Sequence, residues 1–223
     1  IGALKEADYK ELAFIIMSKF FTDFELSILK NCINNAYDNK FSEKEIVPLL
    51  KVGDVFFLEL FHGPTLAFKD MALSILPHLL KEAININKRD REVVILTATS
   101  GDTGKAALEG FANVGGIKII VFFPEDGVSK IQKKQMLTQE GSNTFVVGID
   151  GNFDDAQNGV KGIFNDQNFV RFLDKNKYIL SSANSINIGR LIPQIVYYFY
   201  GYLTLLREGK IEDNEKINIV VPT

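Results

Sequence analysis

The sequence predicts an α/β protein: a parallel sheet with helices on both faces, preceded by a helical N-terminal region. Two observations carry this. From residue 54 onward, short apolar runs rich in β-branched and aromatic residues recur at Val55–Phe61, Val93–Thr97, Ile117–Phe123 and Phe145–Ile149. Unbroken runs of this kind suit strands buried on both faces. Stretches with helical spacing separate them at 69–84, 103–113, 129–139 and 153–165. Strands alternating with helices imply crossover connections and a parallel sheet.

Each element has a local reason. In Glu11–Met17 and Phe24–Leu29 the apolar residues recur at three and four, so residues 1 to about 50 read as helices. Thr22 or Asp23 is placed to cap the second of these. Ser42 with Glu45 three residues on reads as a capping box. Pro77 falls inside the stretch 69–84 and predicts a kink or restart near Leu76. Tyr178–Ser181 reads as a short strand. Residues 188–206 read as a helix apolar nearly all round, the kind that is buried in a larger body. A last strand is expected at Ile217–Val221. The expected organisation is a helical region over 1–53, an α/β domain over 54–177, and the incomplete start of a second α/β domain over 178–223.

Composition excludes several function classes. The chain has 223 residues, 46% of them hydrophobic and 24% charged, as in ordinary globular proteins. Its 25 basic and 28 acidic residues give a formal charge of -3, with no basic excess to neutralise phosphates, so no nucleic-acid partner is expected. One cysteine, Cys32, forms no internal disulfide and fits a reducing, cytoplasmic setting. Two histidines and that cysteine are too few for a zinc site built on them, so no metal is expected. No apolar run reaches the roughly 20 residues of a membrane span. Ile1–Glu6 is no signal peptide.

Common nucleotide and hydrolase motifs are missing. There is no G-x-G, no H-E-x-x-H and no G-x-S-x-G. Gly101–Lys105 is not a P-loop, because Thr99 stands where its first glycine belongs and Ala106 follows the lysine. Three other segments hold chemistry. The first, Phe61–Asp70, turns at Gly63-Pro64 and delivers Lys69 after Leu66-Ala67-Phe68. An ordinary lysine there would snorkel. An amine desolvated by apolar neighbours and set against the positive end of a helix loses its proton more easily, as a Schiff-base lysine must. The second, Thr97–Gly104, is a turn rich in hydroxyls and glycines between a strand and a helix. It is either a plain capped turn or an anion cradle of free N–H groups. Within it Asp102 caps the helix or meets a cation or donor. The third, Ser181–Arg190, sets Asn184, Ser185 and Arg190 where they are either a polar cap with a surface arginine or a phosphate grip. All three turns are expected at one end of the parallel sheet, where such folds place ligands.

Together the runs G-P-T-L-A-F-K-D (63–70), L-T-A-T-S-G-D-T-G (96–104), S-A-N-S-I-N-x-x-R (182–190) and P-Q-I-V-Y-Y-F (193–199) resemble the threonine synthases. These are pyridoxal-phosphate enzymes of the tryptophan-synthase-β fold type, and the match is to their bacterial and fungal branch. The resemblance covers about residues 55–223, while residues 1–54 fit only loosely. It implies pyridoxal 5'-phosphate as cofactor, with Lys69 as the lysine that binds it. Ser100, Gly101, Asp102 and Thr103 match the loop that holds the substrate carboxylate, with Asp102 beside the cofactor. Asn184, Ser185 and Arg190 match the grip on the substrate phosphate. The implied reaction is a carbon–oxygen lyase reaction: O-phospho-L-homoserine and water become L-threonine and phosphate.

One departure from the family bears on activity. There, the strand matching 217–221 runs into a Gly- and Asn-rich loop for the cofactor phosphate, whereas this chain stops at Thr223. The chain is therefore expected to be a fragment, unable alone to hold cofactor tightly or turn over. It is also expected to expose apolar surface from the 191–206 helix and to self-associate. Three rivals remain: a related lyase giving 2-oxobutyrate, a non-catalytic α/β module that binds a phosphorylated metabolite, and a purely structural domain.

Overall fold

Asp8 and Glu11 open the first helix reciprocally: the Glu11 amide donates to Asp8 Oδ1 at 2.8 Å and the Asp8 amide to Glu11 Oε2 at 3.0 Å. In the computed structural model, which describes residues 4–87 and 90–221, this helix is α1 (Tyr9–Met17). The second, α2 (Leu26–Ala36), starts after Glu25, not at Thr22 or Asp23. Those two residues sit in a turn closed by the Phe24 amide on the Phe21 carbonyl, with the two rings 5.7 Å apart. Ser42 starts no helix either. Its amide donates to the His62 carbonyl at 2.9 Å and its hydroxyl meets His62 Nδ1 at 3.1 Å, so it ties down a loop.

The run Val55–Phe61 behaves differently from the expectation. β1 (Leu49–Val52) and β2 (Val55–Leu58) form an antiparallel hairpin apart from the main sheet. Gly53, at φ +60°, and Asp54 make its two-residue turn. A tight local turn lets β2 pair with its neighbour in sequence instead of joining a buried parallel sheet.

Next come α3 (Asp70–Leu73) and α4 (Leu76–Ile86), the latter with Pro77 in its first turn. The restart near Leu76 is thus where the missing proline N–H puts it. The alternating part follows: β3 (Glu92–Ala98), α5 (Asp102–Phe111), β4 (Ile117–Pro124), α6 (Lys130–Leu137), β5 (Thr144–Ile149), α7 (Phe153–Asn165), α8 (Gln167–Lys175) and β6 (Tyr178–Ser182). α8 has no counterpart in the sequence reading. Its signal was Asp166, whose carboxylate caps the Asn168 and Phe169 amides. The chain then forms α9 (Ile188–Leu191) and α10 (Pro193–Arg207), the single expected helix being broken before Pro193.

The four strands β5-β4-β3-β6 form one parallel sheet. Ile95 at its centre faces Ile119 on one side and Ser181 on the other. β6, expected to open a second unit at residue 178, pairs with β3 in this same sheet. A buried strand needs both its edges paired, and β6 supplies the second edge of β3. Ile217–Val221 is not a strand. Among the described residues it finds no ladder partner, and Val220 is 89% exposed. Pro222 and Thr223, where the cofactor-phosphate loop was expected to begin, lie outside the described residues.

Helices cover both faces of the sheet. α5 and α6 close one core around Leu108, Phe111, Ile119, Val121 and Met136, and α7 closes the other around Val94, Leu96, Ala156 and Val160. A third core joins α1, α2, α3 and α10. Within it the buried Tyr37 donates its hydroxyl to the Met71 carbonyl of α3 at 2.7 Å. The N-terminal helices thereby brace the short helix that follows Lys69. Tyr37→Phe is expected to cost about 1–2 kcal/mol, since it leaves a buried carbonyl short of a donor. Denaturant unfolding measures it. α10 leaves Tyr198 and Phe199 exposed, as does α9 with Leu191, so apolar surface does face outward here.

Candidate active site

The loop from β2 to α3 is folded on Asp70. This carboxyl is 1% exposed and accepts the Thr65 amide at 2.8 Å and the Thr65 hydroxyl at 2.6 Å. Burial raises its pKa, and the Thr65 bonds oppose that. A Cβ on Gly63 would fall 2.5 Å from the Asp70 Cβ, so the loop closes only over a glycine. The closed loop presents Lys69 half-buried, its ammonium 3.7 Å over the centre of the Phe68 ring. Burial holds the Lys69 pKa below the usual lysine range. The Arg190 guanidinium lowers it further, and the Asp102 carboxylate opposes them. Desolvation acts as the sequence suggested. A second depressing charge, which the sequence reading did not foresee, is Arg190.

The turn after β3 is built around Thr99, a residue the sequence reading did not single out. Its buried hydroxyl accepts the amides of Gly101 at 3.0 Å and Gly104 at 2.9 Å, and donates to the Gly101 carbonyl at 3.1 Å. Those two amides are turned inward. The expected anion cradle therefore narrows to the N–H groups of Ser100, Asp102 and Thr103 at the mouth of α5. Ser100 and Asp102 are exposed and Thr103 is half-buried. Asp102 meets a donor: Gln132 Nε2 of α6 lies 2.8 Å from its Oδ1.

The turn after β6 is stapled to the end of β3. Asn184 Oδ1 accepts the Ala98 amide at 3.0 Å, and Asn184 Nδ2 donates to the Ala98 carbonyl at 2.8 Å. Asn184 was expected to hold a phosphate. Most of its carboxamide instead joins two strand ends, leaving one amide hydrogen for a ligand. Ser185 is exposed beside it. Asn187 spans the turn, donating to the Ser182 carbonyl at 2.8 Å and accepting the Gly189 amide at 2.9 Å. Arg190 is 6% exposed, so it is no surface arginine. Its Nη1 donates to the Ala183 carbonyl at 2.9 Å, while its buried Nε has no partner.

Two of the three turns thus share the C-terminal end of the parallel sheet. The Lys69 loop leaves the hairpin instead, and reaches them because α3 packs on α5 and α9. All the expected residues fall in these three segments, and Arg190 and Asp102 both lie close enough to Lys69 to act on its charge. Among the described residues no group of three or more His, Cys, Asp or Glu could hold a metal, and no helix is long and apolar enough to cross a membrane.

Comparison with known proteins agrees with this geometry. Residues 43–219 match the model of the family described as pyridoxal-phosphate dependent enzyme. The threonine synthase of Pseudomonas aeruginosa is 42% identical over 199 residues, covering 88% of this chain and 41% of that protein. The human protein named threonine synthase-like 1 is 40% identical, covering 99% of this chain and 31% of its own length. The crystal structure of a pyridoxal-phosphate-bound threonine synthase from Brucella melitensis superposes with a TM-score of 0.80 at 39% identity, covering 92% of this chain and 43% of that one. The chain thus spans less than half the length of these relatives. The residues present suit the cofactor: a half-buried amine with a lowered pKa for its aldehyde, and a buried guanidinium with an unpartnered N–H among the donors for anionic groups. With the matched family, the shared fold and a site of fitting chemistry, this chain belongs to the pyridoxal-phosphate-dependent enzymes.

Proposed function

We propose that this chain carries the lysine-bearing part of a threonine synthase, which converts O-phospho-L-homoserine and water to L-threonine and phosphate. The observation that carries the reading is the pairing of a half-buried Lys69 with a buried Arg190 whose Nε has no partner. When bound, the cofactor supplies an aldehyde for amines and an electron sink for negative charge on substrate carbon. Lys69 binds it and, once the substrate amine has taken its place, moves protons at the α and β carbons. A lowered pKa suits that work, since the amine must take up and release protons near neutral pH. The N–H groups of Ser100, Asp102 and Thr103 hold the substrate carboxylate. Arg190 and Ser185, with the remaining N–H of Asn184, hold the phosphate that departs from the γ carbon. Once phosphate has left, the proton taken from the β carbon is returned at the γ carbon, and the one taken from the α carbon is returned there. The water hydroxyl adds at the β carbon, and the water's other proton leaves with the phosphate.

A second reading has its own support, because the human relative is named threonine synthase-like and not threonine synthase. In it the same phosphate is eliminated, but the product is hydrolysed to 2-oxobutyrate and ammonia. Full-length protein supplied with cofactor and O-phospho-L-homoserine separates the readings. Threonine and phosphate in equal amounts support the synthase. Phosphate with 2-oxobutyrate and ammonia replaces it with the lyase. Substrate binding without phosphate release, unchanged in Lys69→Ala, leaves only a binding module.

A further inference from the structure

We propose that Gln132 is a positioning residue of the Lys69 site: one carboxamide holds the Asp102 carboxylate by its N–H while holding the start of α6 by its oxygen. The inference rests on the reading of Lys69 as the cofactor lysine.

Gln132 is the third residue of α6 and closes a capping box there. Its backbone amide donates to Ser129 Oγ at 3.2 Å, and its Oε1 accepts the Ser129 amide at 3.2 Å. Its other end, Nε2, donates to Asp102 Oδ1 at 2.8 Å. A Ser129 N–H needs an acceptor and a carboxylate needs a donor, so only one orientation of the carboxamide serves both. Glutamate would make the cap equally well but would repel Asp102. The side chain also lies against the backbone of the loop. Gly101 sits at φ +152°, and a Cβ there would fall 2.3 Å from Gln132 Nε2. The residue therefore fixes both the loop backbone and the carboxylate that follows it.

The consequence reaches Lys69. The charged groups facing its amine are Arg190 from α9 and Asp102 from α5, while Asp70 beside it is turned into Thr65. Asp102 favours the protonated amine. Releasing Asp102 toward solvent weakens that support, so the Lys69 pKa falls.

The test follows the reactivity of Lys69 in full-length protein. Trace acetic anhydride is pulsed across a pH series without cofactor, and the Lys69 peptide is quantified by mass spectrometry. Gln132→Met is expected to lower the midpoint by about half a pH unit. Asp102→Asn should lower it by a similar amount, and the double variant by no more than either alone. Ser129→Ala removes the cap only, so it should lower thermal stability and leave the midpoint in place. Should Gln132→Met fold poorly, Gln132→Glu with Asp102→Asn reverses donor and acceptor. That pair is expected to recover the thermal stability lost in Gln132→Glu alone. A midpoint that moves in Asp102→Asn but not in Gln132→Met, or additive shifts in the double variant, overturns the inference. No such recovery in the reversed pair overturns it too. Failure of the underlying reading looks different: added pyridoxal phosphate then gives Lys69 no selective protection from acetylation.

Discussion

Lys69→Ala is expected to abolish turnover, by about 10³-fold or more, while leaving the fold intact. The side chain lies over the Phe68 ring and, among the described residues, makes no ion pair or side-chain hydrogen bond. Burial and Arg190 work against its charge and offset what the Phe68 ring and Asp102 contribute, so its removal costs little. Stability should therefore change by about 0.5 kcal/mol or less. Addition of a small primary amine such as methylamine should restore part of the activity, because the missing group is an amine and the loop that presents it still closes on Asp70. Thermal unfolding and turnover, measured on the same samples, check both halves. A variant that unfolds, or one that keeps full turnover, contradicts the role given to Lys69.

Arg190 is expected to give the second large effect, and two variants separate its two duties. Arg190→Lys keeps the charge but loses the fork that reaches the Ala183 carbonyl while leaving Nε free. KM for the phosphorylated substrate should rise roughly 10- to 100-fold, the worth of a charge-assisted hydrogen bond. Arg190→Met removes the charge as well. Arg190 holds the Lys69 pKa down, so its loss raises that pKa toward the ordinary lysine value without reaching it, because burial persists. The neutral amine then appears only at higher pH. The ascending limb of the pH–rate profile should move to the alkaline side in Arg190→Met and stay near the wild-type position in Arg190→Lys. A KM unchanged in both variants contradicts the phosphate grip.

What could be read from the chain beforehand, and what could not, divides on the range of the interactions. The helix restart at Leu76 was legible because a proline lacks an N–H wherever it sits. Lys69, Asp102 and Arg190 stood out as candidates because turn chemistry after apolar runs is local. Sheet membership was not. Val55–Leu58 looks as apolar as a core strand, and only the tight Gly53-Asp54 turn makes it a hairpin. Ile217–Val221 has a strand's composition and, among the described residues, no neighbour to pair with. Within the site, Asn184 shows the same limit. Its role is set by Ala98, 86 residues away, through two hydrogen bonds that no spacing rule announces. Ser129 and Gln132 carry the capping-box spacing, which the sequence reading did not pick out. The hold of Gln132 on Asp102, 30 residues earlier, emerges only when α5 and α6 pack together.

The most direct measurement is covalent mapping of the cofactor lysine. Full-length protein is incubated with pyridoxal phosphate and reduced with borohydride, then digested and analysed by mass spectrometry. The account predicts a single modified residue, Lys69, at one label per chain, and none in Lys69→Ala. Label spread over several lysines, with as much of it remaining in Lys69→Ala, would contradict it.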